Sequence, residues 1–196
     1  MIPLYRPDID TDQIMPKQFL MSTSQTGYGA HVFQDWRRDP TFVLNDPRFR
    51  GARIMVAGRN FGSGSSREHA VWGLQQYGID AVLAPSFSDI FVGNCVQNGL
   101  LTGTVSEQAA QNLVEHAFAD PQAILEVDLV AQCVRSPCGD LRFDISPAHR
   151  EALLTGRDDI TTILERASKI DAYERRRPEW SSNTVSHLHP SSSPRH

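Results

Sequence analysis

The stretch ARIMVAGRNFGSGSSREHAVWGL, residues 52–74, constrains this chain more than any other. A short apolar run bounded by glycines reads as a buried strand over 52–58. A turn with glycines at 62 and 64 follows, and then an apolar pattern of helical spacing. Ala70, Val71, Leu74 and Tyr77 share one face, and Gly78 stops the helix. Strand, glycine turn and helix start, in that order, offer backbone N–H groups and the positive end of a helix dipole to an anion. Glycines at 62 and 64 let the backbone approach a ligand closely. The known phosphate loops do not fit. A Walker loop needs a lysine after its second glycine, where Ser65 stands. The dinucleotide fingerprint needs a third glycine where Arg67 stands. A G-x-S-x-G elbow needs wider glycine spacing than G-S-G.

Two readings of the turn stay open on the residues alone. Ser65-Ser66-Arg67-Glu68 fits a capping box, with Ser65 as the cap and Glu68 at the third helical position. The other reading is chemical. A guanidinium beside two hydroxyls and free N–H groups is a receptor for a carboxylate, with bidentate capacity. A serine hydroxyl near a cation at a helix start has its deprotonated form stabilised, and so can act as a general base.

Elsewhere the chain mixes strands and helices. Residues 9–20 read as loop with a little strand and a turn, and 21–51 as irregular, with at most a short helix around 30–37. Further strands fall at 80–85 and 100–106. Helices fall at 88–99, stopped by Gly99, and at 106–118, started by Ser106. Alternation on either side of PCGD makes 123–145 a hairpin. Residues 147–156 are a helix with proline at its start and glycine at its end, and 158–178 form a longer C-terminal helix. The Ser/Pro-rich residues 181–196 read as a disordered tail. Strands and helices do not alternate strictly, so a layered α/β domain is expected rather than a simple doubly wound sheet.

A chain of 196 residues with 40% apolar content can bury one core without staples. Its 19 basic and 23 acidic residues give a net charge of −4, which speaks against nucleic acid as a partner. Cys95, Cys133 and Cys138 are odd in number and read as reduced thiols. No run reaches the ~18 apolar residues of a membrane span. The first residues, MIPLYRPDIDTD, lack the basic and apolar regions of a signal peptide. The expectation is a soluble cytoplasmic protein with no membrane partner.

Three ordered motifs carry a resemblance: DIDTDQIMPKQFL, GRNFGSGSSREHAVWGLQQYG and APSFSDIFVGNCVQNGLL. Together they resemble the small-subunit family of 3-isopropylmalate dehydratase, in the aconitase superfamily, from about residue 3 to residue 180. The resemblance implies an α/β, swivel-domain-like layered β/β/α domain with C-terminal helices over 1–180. It implies that Ser65 is the catalytic base. It further implies that Ser66 and Arg67 bind a substrate carboxylate with Gly64, and that Asp10, Thr11 and Asp12 lie at the cleft. The loop after them then shapes substrate choice. It implies a hydro-lyase of leucine biosynthesis that interconverts 2- and 3-isopropylmalate by dehydration and rehydration. It also implies a large-subunit partner that carries the 4Fe–4S cluster, with no cofactor on this chain.

Two departures stand out. Relatives usually carry a short segment ahead of Pro3-Leu4. They also carry a basic residue soon after KQFL, where MSTSQTG leaves Lys17 as the nearby cation. The second departure motivates related hydro-lyases acting on citraconate, a dimethylmalate or homoaconitate as alternatives. A non-catalytic anion-binding module is a third reading.

Other polar residues have plain roles beside these. His69 reads as a structural histidine, though it can also orient a neighbour or bond across a subunit interface. Glu68 reads as the capping carboxylate or a partner for Arg67, and Asp89 as the cap of its helix. Asn94 and Asn98 either line the cleft or finish the helix end. His187 and His189 belong to the tail and are not read as metal ligands.

Overall fold

The computed structural model describes residues 1–20, 26–137 and 139–156. Cys138, the helix expected over 158–178 and the tail at 181–196 lie outside the described residues. Four short strands, β1 (Ile2–Leu4), β2 (Ile54–Ala57), β3 (Ala81–Ala84) and β4 (Leu101–Thr104), pair in parallel in that order. Parallel neighbours need crossovers. Helix α2 (Glu68–Tyr77) supplies the crossover from β2 to β3 and α3 (Asp89–Asn98) that from β3 to β4, and they pack beside each other. Helix α4 (Glu107–Ala119) follows β4 and lies against β1, β2 and β3. All four residues of β3 are buried. Successive side chains of a strand point to opposite faces, so both faces of the sheet are covered there.

Most expected elements appear, and from β2 to α4 the alternation of strand and helix is strict. Four differences have physical reasons. β1 was not expected. It is too short to show a period, and its Pro3 is tolerated because β1 is an edge strand. Residues 9–20, expected as loop with a little strand and a turn, have a single bridge at Asp10 and a turn over Lys17–Phe19, and between them a helical turn that was not expected, α1 (Thr11–Ile14). Asp10 starts it through a reciprocal cap: the Gln13 N–H donates to the Asp10 carboxylate, and the Asp10 N–H donates to the Gln13 side chain. Asp89 is not the cap of α3. Ser88 is, because its N–H is tied to the Phe61 carbonyl and its backbone stays extended.

The expected hairpin has three strands: β5 (Glu126–Asp128), β6 (Cys133–Arg135) and β7 (Leu141–Arg142), all antiparallel. An additional turn forms because the Asp128 carboxylate accepts the Ala131 N–H, with Gln132 in the left-handed region. Thr104 and Asp144 exchange backbone hydrogen bonds and join the two sheets. Helix α5 (Pro147–Thr155) starts with proline and ends at Gly156, as expected, and Ser146 caps it.

Candidate active site

Three loops meet at the carboxyl ends of the parallel strands, where open α/β sheets bind ligands. Segment 8–12 follows β1, segment 58–67 follows β2, and segment 85–88 follows β3. Their contact is dictated by backbone. The N–H groups of Gly62 and Ser63 both donate to the Ile9 carbonyl, at 2.7 and 3.1 Å. The Thr11 N–H donates to the Ser63 carbonyl at 2.9 Å. Phe61 donates to the Ser86 carbonyl and accepts from the Ser88 N–H. Asn60 donates from its side-chain Nδ2 to Asp8 Oδ1 and from its N–H to the Ser86 hydroxyl, each at 2.8 Å.

Glycine is required at two positions here. Gly62 has φ +76°, and a Cβ on it would lie 2.2 Å from Cγ of Phe91. Gly64 has φ +88°, but the nearest atom to its Cβ position is 3.5 Å away, on Asp10. The first glycine is fixed by packing and backbone, the second by backbone alone.

The capping-box reading of Ser65 is overturned. Helix α2 starts at Glu68, Arg67 holds the cap position, and no side chain caps it. Ser65 lies in a bend and Arg67 is extended, at φ −137° and ψ 100°, on a loop tied to the 9–11 segment, so the cap falls two residues later than the motif implies. Ser65 and Ser66 are therefore exposed loop residues. Among the described residues, no hydrogen bond occupies the N–H groups of Gly64, Ser65 or Ser66. Glu68 does not cap or pair with Arg67; it accepts from Asn98 Nδ2 at 3.0 Å. Asn98 also accepts from Trp72, so it ties α2 to α3. Asn94 turns toward the loop, with Nδ2 3.4 Å from the Ser66 hydroxyl. His69 is half-buried between Tyr28 and Trp72, at ring distances of 5.2 and 4.8 Å. That position agrees with a structural histidine.

The structure brings Asp10, Thr11, Asp12, Gly64, Ser65, Ser66 and Arg67 together. Arg67 donates end-on to Asp12, from Nη1 to Oδ1 and from Nη2 to Oδ2, the latter at 2.7 Å. Its side chain is 14% exposed and that of Asp12 48%. Thr11 is buried, and its hydroxyl donates to the Ser65 carbonyl at 2.7 Å. Lys17 starts a 3₁₀ turn over Lys17–Phe19 and is exposed, with no bond to the loop among the described residues. Sequence reasoning missed Asp8, Asn60 and Ser86 as loop ties. The available signal was an asparagine beside glycine-rich turn residues, since Asn60 adopts φ +57°.

Comparison with known proteins shows the family. Residues 2–108 match the aconitase C-terminal domain family. The 3-isopropylmalate dehydratase small subunit of Rubrobacter xylanophilus is 45% identical over 179 residues, covering 91% of this chain and 92% of the relative. That of Streptomyces coelicolor is 45% identical over 184 residues, covering 94% and 93%. The chain belongs to the family of 3-isopropylmalate dehydratase small subunits. The crystal structure of 3-isopropylmalate dehydratase from Methanocaldococcus jannaschii superposes with a TM-score of 0.61 at 28% identity, over 86% of this chain and 93% of that one. The family is that of hydro-lyases of the aconitase type, and the swivel-like fold expected from the motifs is the one observed.

Among the described residues, the cysteines do not fit an iron–sulfur cluster. Cys95 is wholly buried in α3, and burial pushes its thiol well above the ordinary value, away from the thiolate a cluster needs. Cys133 lies in β6, on the other sheet. Among the described residues no group of three His, Cys, Asp or Glu side chains is placed to hold a metal ion. No helix among them is long and apolar enough to cross a membrane.

Proposed function

We propose that this chain is the substrate-positioning and proton-transfer half of a 3-isopropylmalate dehydratase, acting in leucine biosynthesis with a large subunit. The single observation that carries the reading is the 62–67 turn. It holds two exposed hydroxyls and a guanidinium just ahead of α2, beside N–H groups of Gly64, Ser65 and Ser66 that no hydrogen bond occupies among the described residues, on a family scaffold matched at 45% identity.

The reaction removes a proton from the carbon beside the hydroxyl-bearing carbon and expels the hydroxyl, giving an alkene. Water then adds in the opposite sense. Ser65 takes the proton; the N–H groups beside it and Arg67 favour its charged form. Arg67, Ser66 and the Gly64 N–H hold one carboxylate, and Lys17 offers charge to the second. Asp10, Thr11 and Asp12 form the cleft wall against which the turn is set. Hydroxide is a poor leaving group, and nothing among these side chains can polarise the departing oxygen. A Lewis acid supplies that chemistry, and we assign it to a 4Fe–4S cluster on the large subunit.

Reconstitution tests the reading. The purified chain is mixed anaerobically with a 3-isopropylmalate dehydratase large subunit, and 2-isopropylmalate is followed to alkene and 3-isopropylmalate. Turnover by the mixture, and none by either part, is expected. Turnover of citraconate, a dimethylmalate or homoaconitate instead would reassign the substrate, and no turnover of any diacid would leave only an anion-binding module.

A further inference from the structure

We infer that Thr11 and Asp12 are positioning residues, Thr11 setting the backbone of Ser65 and Asp12 aiming the guanidinium of Arg67. The inference rests on the reading of Ser65 and Arg67 given above and assigns these two neighbours separate tasks.

Thr11 has no free group to offer a ligand. Its side chain is 2% exposed, and its one hydroxyl proton goes to the Ser65 carbonyl at 2.7 Å. Its N–H goes to the Ser63 carbonyl. A buried hydroxyl satisfied by a loop carbonyl 54 residues away is a tie between segments. From Gly64 to Ser66 it is the one hydrogen bond to the loop backbone among the described residues, so it restricts where the Ser65 side chain stands. A base displaced by about 1 Å can cost on the order of 10²-fold in rate.

Asp12 is a carboxylate facing a site meant for a dicarboxylate, where a direct contact would repel. It engages Arg67 end-on, taking one proton from each terminal nitrogen. Nη1 also points at the Met15 carbonyl, at 3.5 Å. A guanidinium carries five N–H donors. The edge made by Nε and the second Nη2 proton makes no hydrogen bond among the described residues. That edge is a planar fork of the spacing a carboxylate takes with two bonds. Asp12 thus fixes the plane of Arg67 while leaving the side-on fork for substrate.

The two roles predict opposite kinetic signatures in the reconstituted complex. Thr11→Val keeps the shape and removes the hydroxyl. It should lower kcat by roughly 10–100-fold with KM within about twofold. Thr11→Ser, which keeps the hydroxyl, should restore most of kcat. Asp12→Asn should raise KM for 2-isopropylmalate by about 10-fold and move kcat less. Unchanged kcat in a folded, assembled Thr11→Val complex would overturn the role of Thr11. A KM that falls in Asp12→Asn would show Asp12 to be a competing charge and overturn its role. A loss of folding or assembly alone, without the kcat and KM split, would reduce both to structural residues. A second readout separates this inference from the assigned reaction. In the full chain, the amide signals of Gly64 to Ser66 should shift in Thr11→Val, and the Arg67 Nε signal in Asp12→Asn, whether or not any diacid is turned over. Unshifted signals would defeat the inference; shifted signals with a wild-type complex inert to every diacid would defeat only the assigned reaction.

Discussion

The loops at the ends of β1–β3 and the β5–β7 sheet with α5 use polar side chains differently. At the loops, polar bonds join segments far apart in sequence. Thr11 reaches Ser65 across 54 residues, Arg67 reaches Asp12 across 55, and Asn60 reaches Asp8 across 52. In the β5–β7 sheet the bonds are local: Arg135 to Glu126 and Asp128, Ala131 to Asp128, Ser136 to Gly139. The distant bonds of α5, from Arg150 to the Leu129 and Val130 carbonyls and from His149 to Leu100 and Thr102, join backbone or buried groups rather than exposed ones. Local bonds shape a turn. Distant ones hold exposed groups in a relation that no single segment could fix, which is what a reacting site requires.

The largest effect should come from the group this comparison leaves exposed and unattached at its hydroxyl. Ser65→Ala should lower turnover of the complex by roughly 10²–10⁴-fold. Because Ser65 does not cap α2, its loss should leave the melting temperature nearly unchanged. Arg135→Ala, which breaks the exposed ion pairs of the β5–β7 sheet, should leave turnover intact. Wild-type turnover by Ser65→Ala would erase the functional contrast between the two regions.

Next in size is a pair of glycines in the same loop. Gly62→Ala forces a Cβ into the ring of Phe91 at a left-handed φ, and should cost about 2–3 kcal/mol of stability. Gly64→Ala carries the backbone strain with ordinary contacts, and should cost about 1 kcal/mol. Equal losses in chemical denaturation would mean that Phe91 yields and the loop is less tightly packed than the contact implies.

A smaller effect is expected at the clamp. Arg67→Lys keeps the charge and loses the planar fork, so KM for the diacid should rise about 10-fold, or 1.4 kcal/mol. An unchanged KM would leave Arg67 as a structural partner of Asp12, and the loop ties would then serve the fold alone.

Much of this was legible in the sequence, for reasons that differ by element. The strands over 54–57 and 81–84 and the helices over 89–98 and 107–119 announced themselves through apolar runs, glycine stops and a serine cap. The convergence on one turn was visible because Gly62, Gly64, Ser65, Ser66 and Arg67 are neighbours. What escaped was set by distant contacts. The cap of α2 moved from Ser65 to Arg67 because Ile9 and Thr11 tie down the loop ahead of it, and no local pattern encodes that. The pairing of Arg67 with Asp12 escaped for the same reason. The cap of α1 was a local signal, D-x-x-Q, overlooked because the helix it starts is one turn long.

The smallest predicted effect tests whether the second region is energetically separate from the site. His149 of α5 is 1% exposed, with Nε2 3.1 Å from the Leu100 carbonyl and Nδ1 3.3 Å from the Thr102 hydroxyl. A carbonyl only accepts, so Nε2 carries the proton and Nδ1 accepts from Thr102, in the neutral ring. Burial lowers its pKa from the ordinary 6.5, and the Leu100 bond opposes this only in part. The unfolded chain therefore binds a proton at this residue below about pH 6.5 while the folded chain does not. Stability should fall as pH drops through that value toward the lowered folded pKa, and level off beneath it. His149→Gln keeps a donor and removes the titration. Melting curves of wild type and variant from about pH 7.5 to 5 should converge or cross as wild type loses stability faster. Turnover of the variant complex at neutral pH should match wild type, because His149 bonds to β4 and its preceding residue and not to the Ser65 loop. Parallel melting curves would show that His149 titrates alike in the folded and unfolded states, and a drop in turnover would join the two regions that the bonding pattern separates.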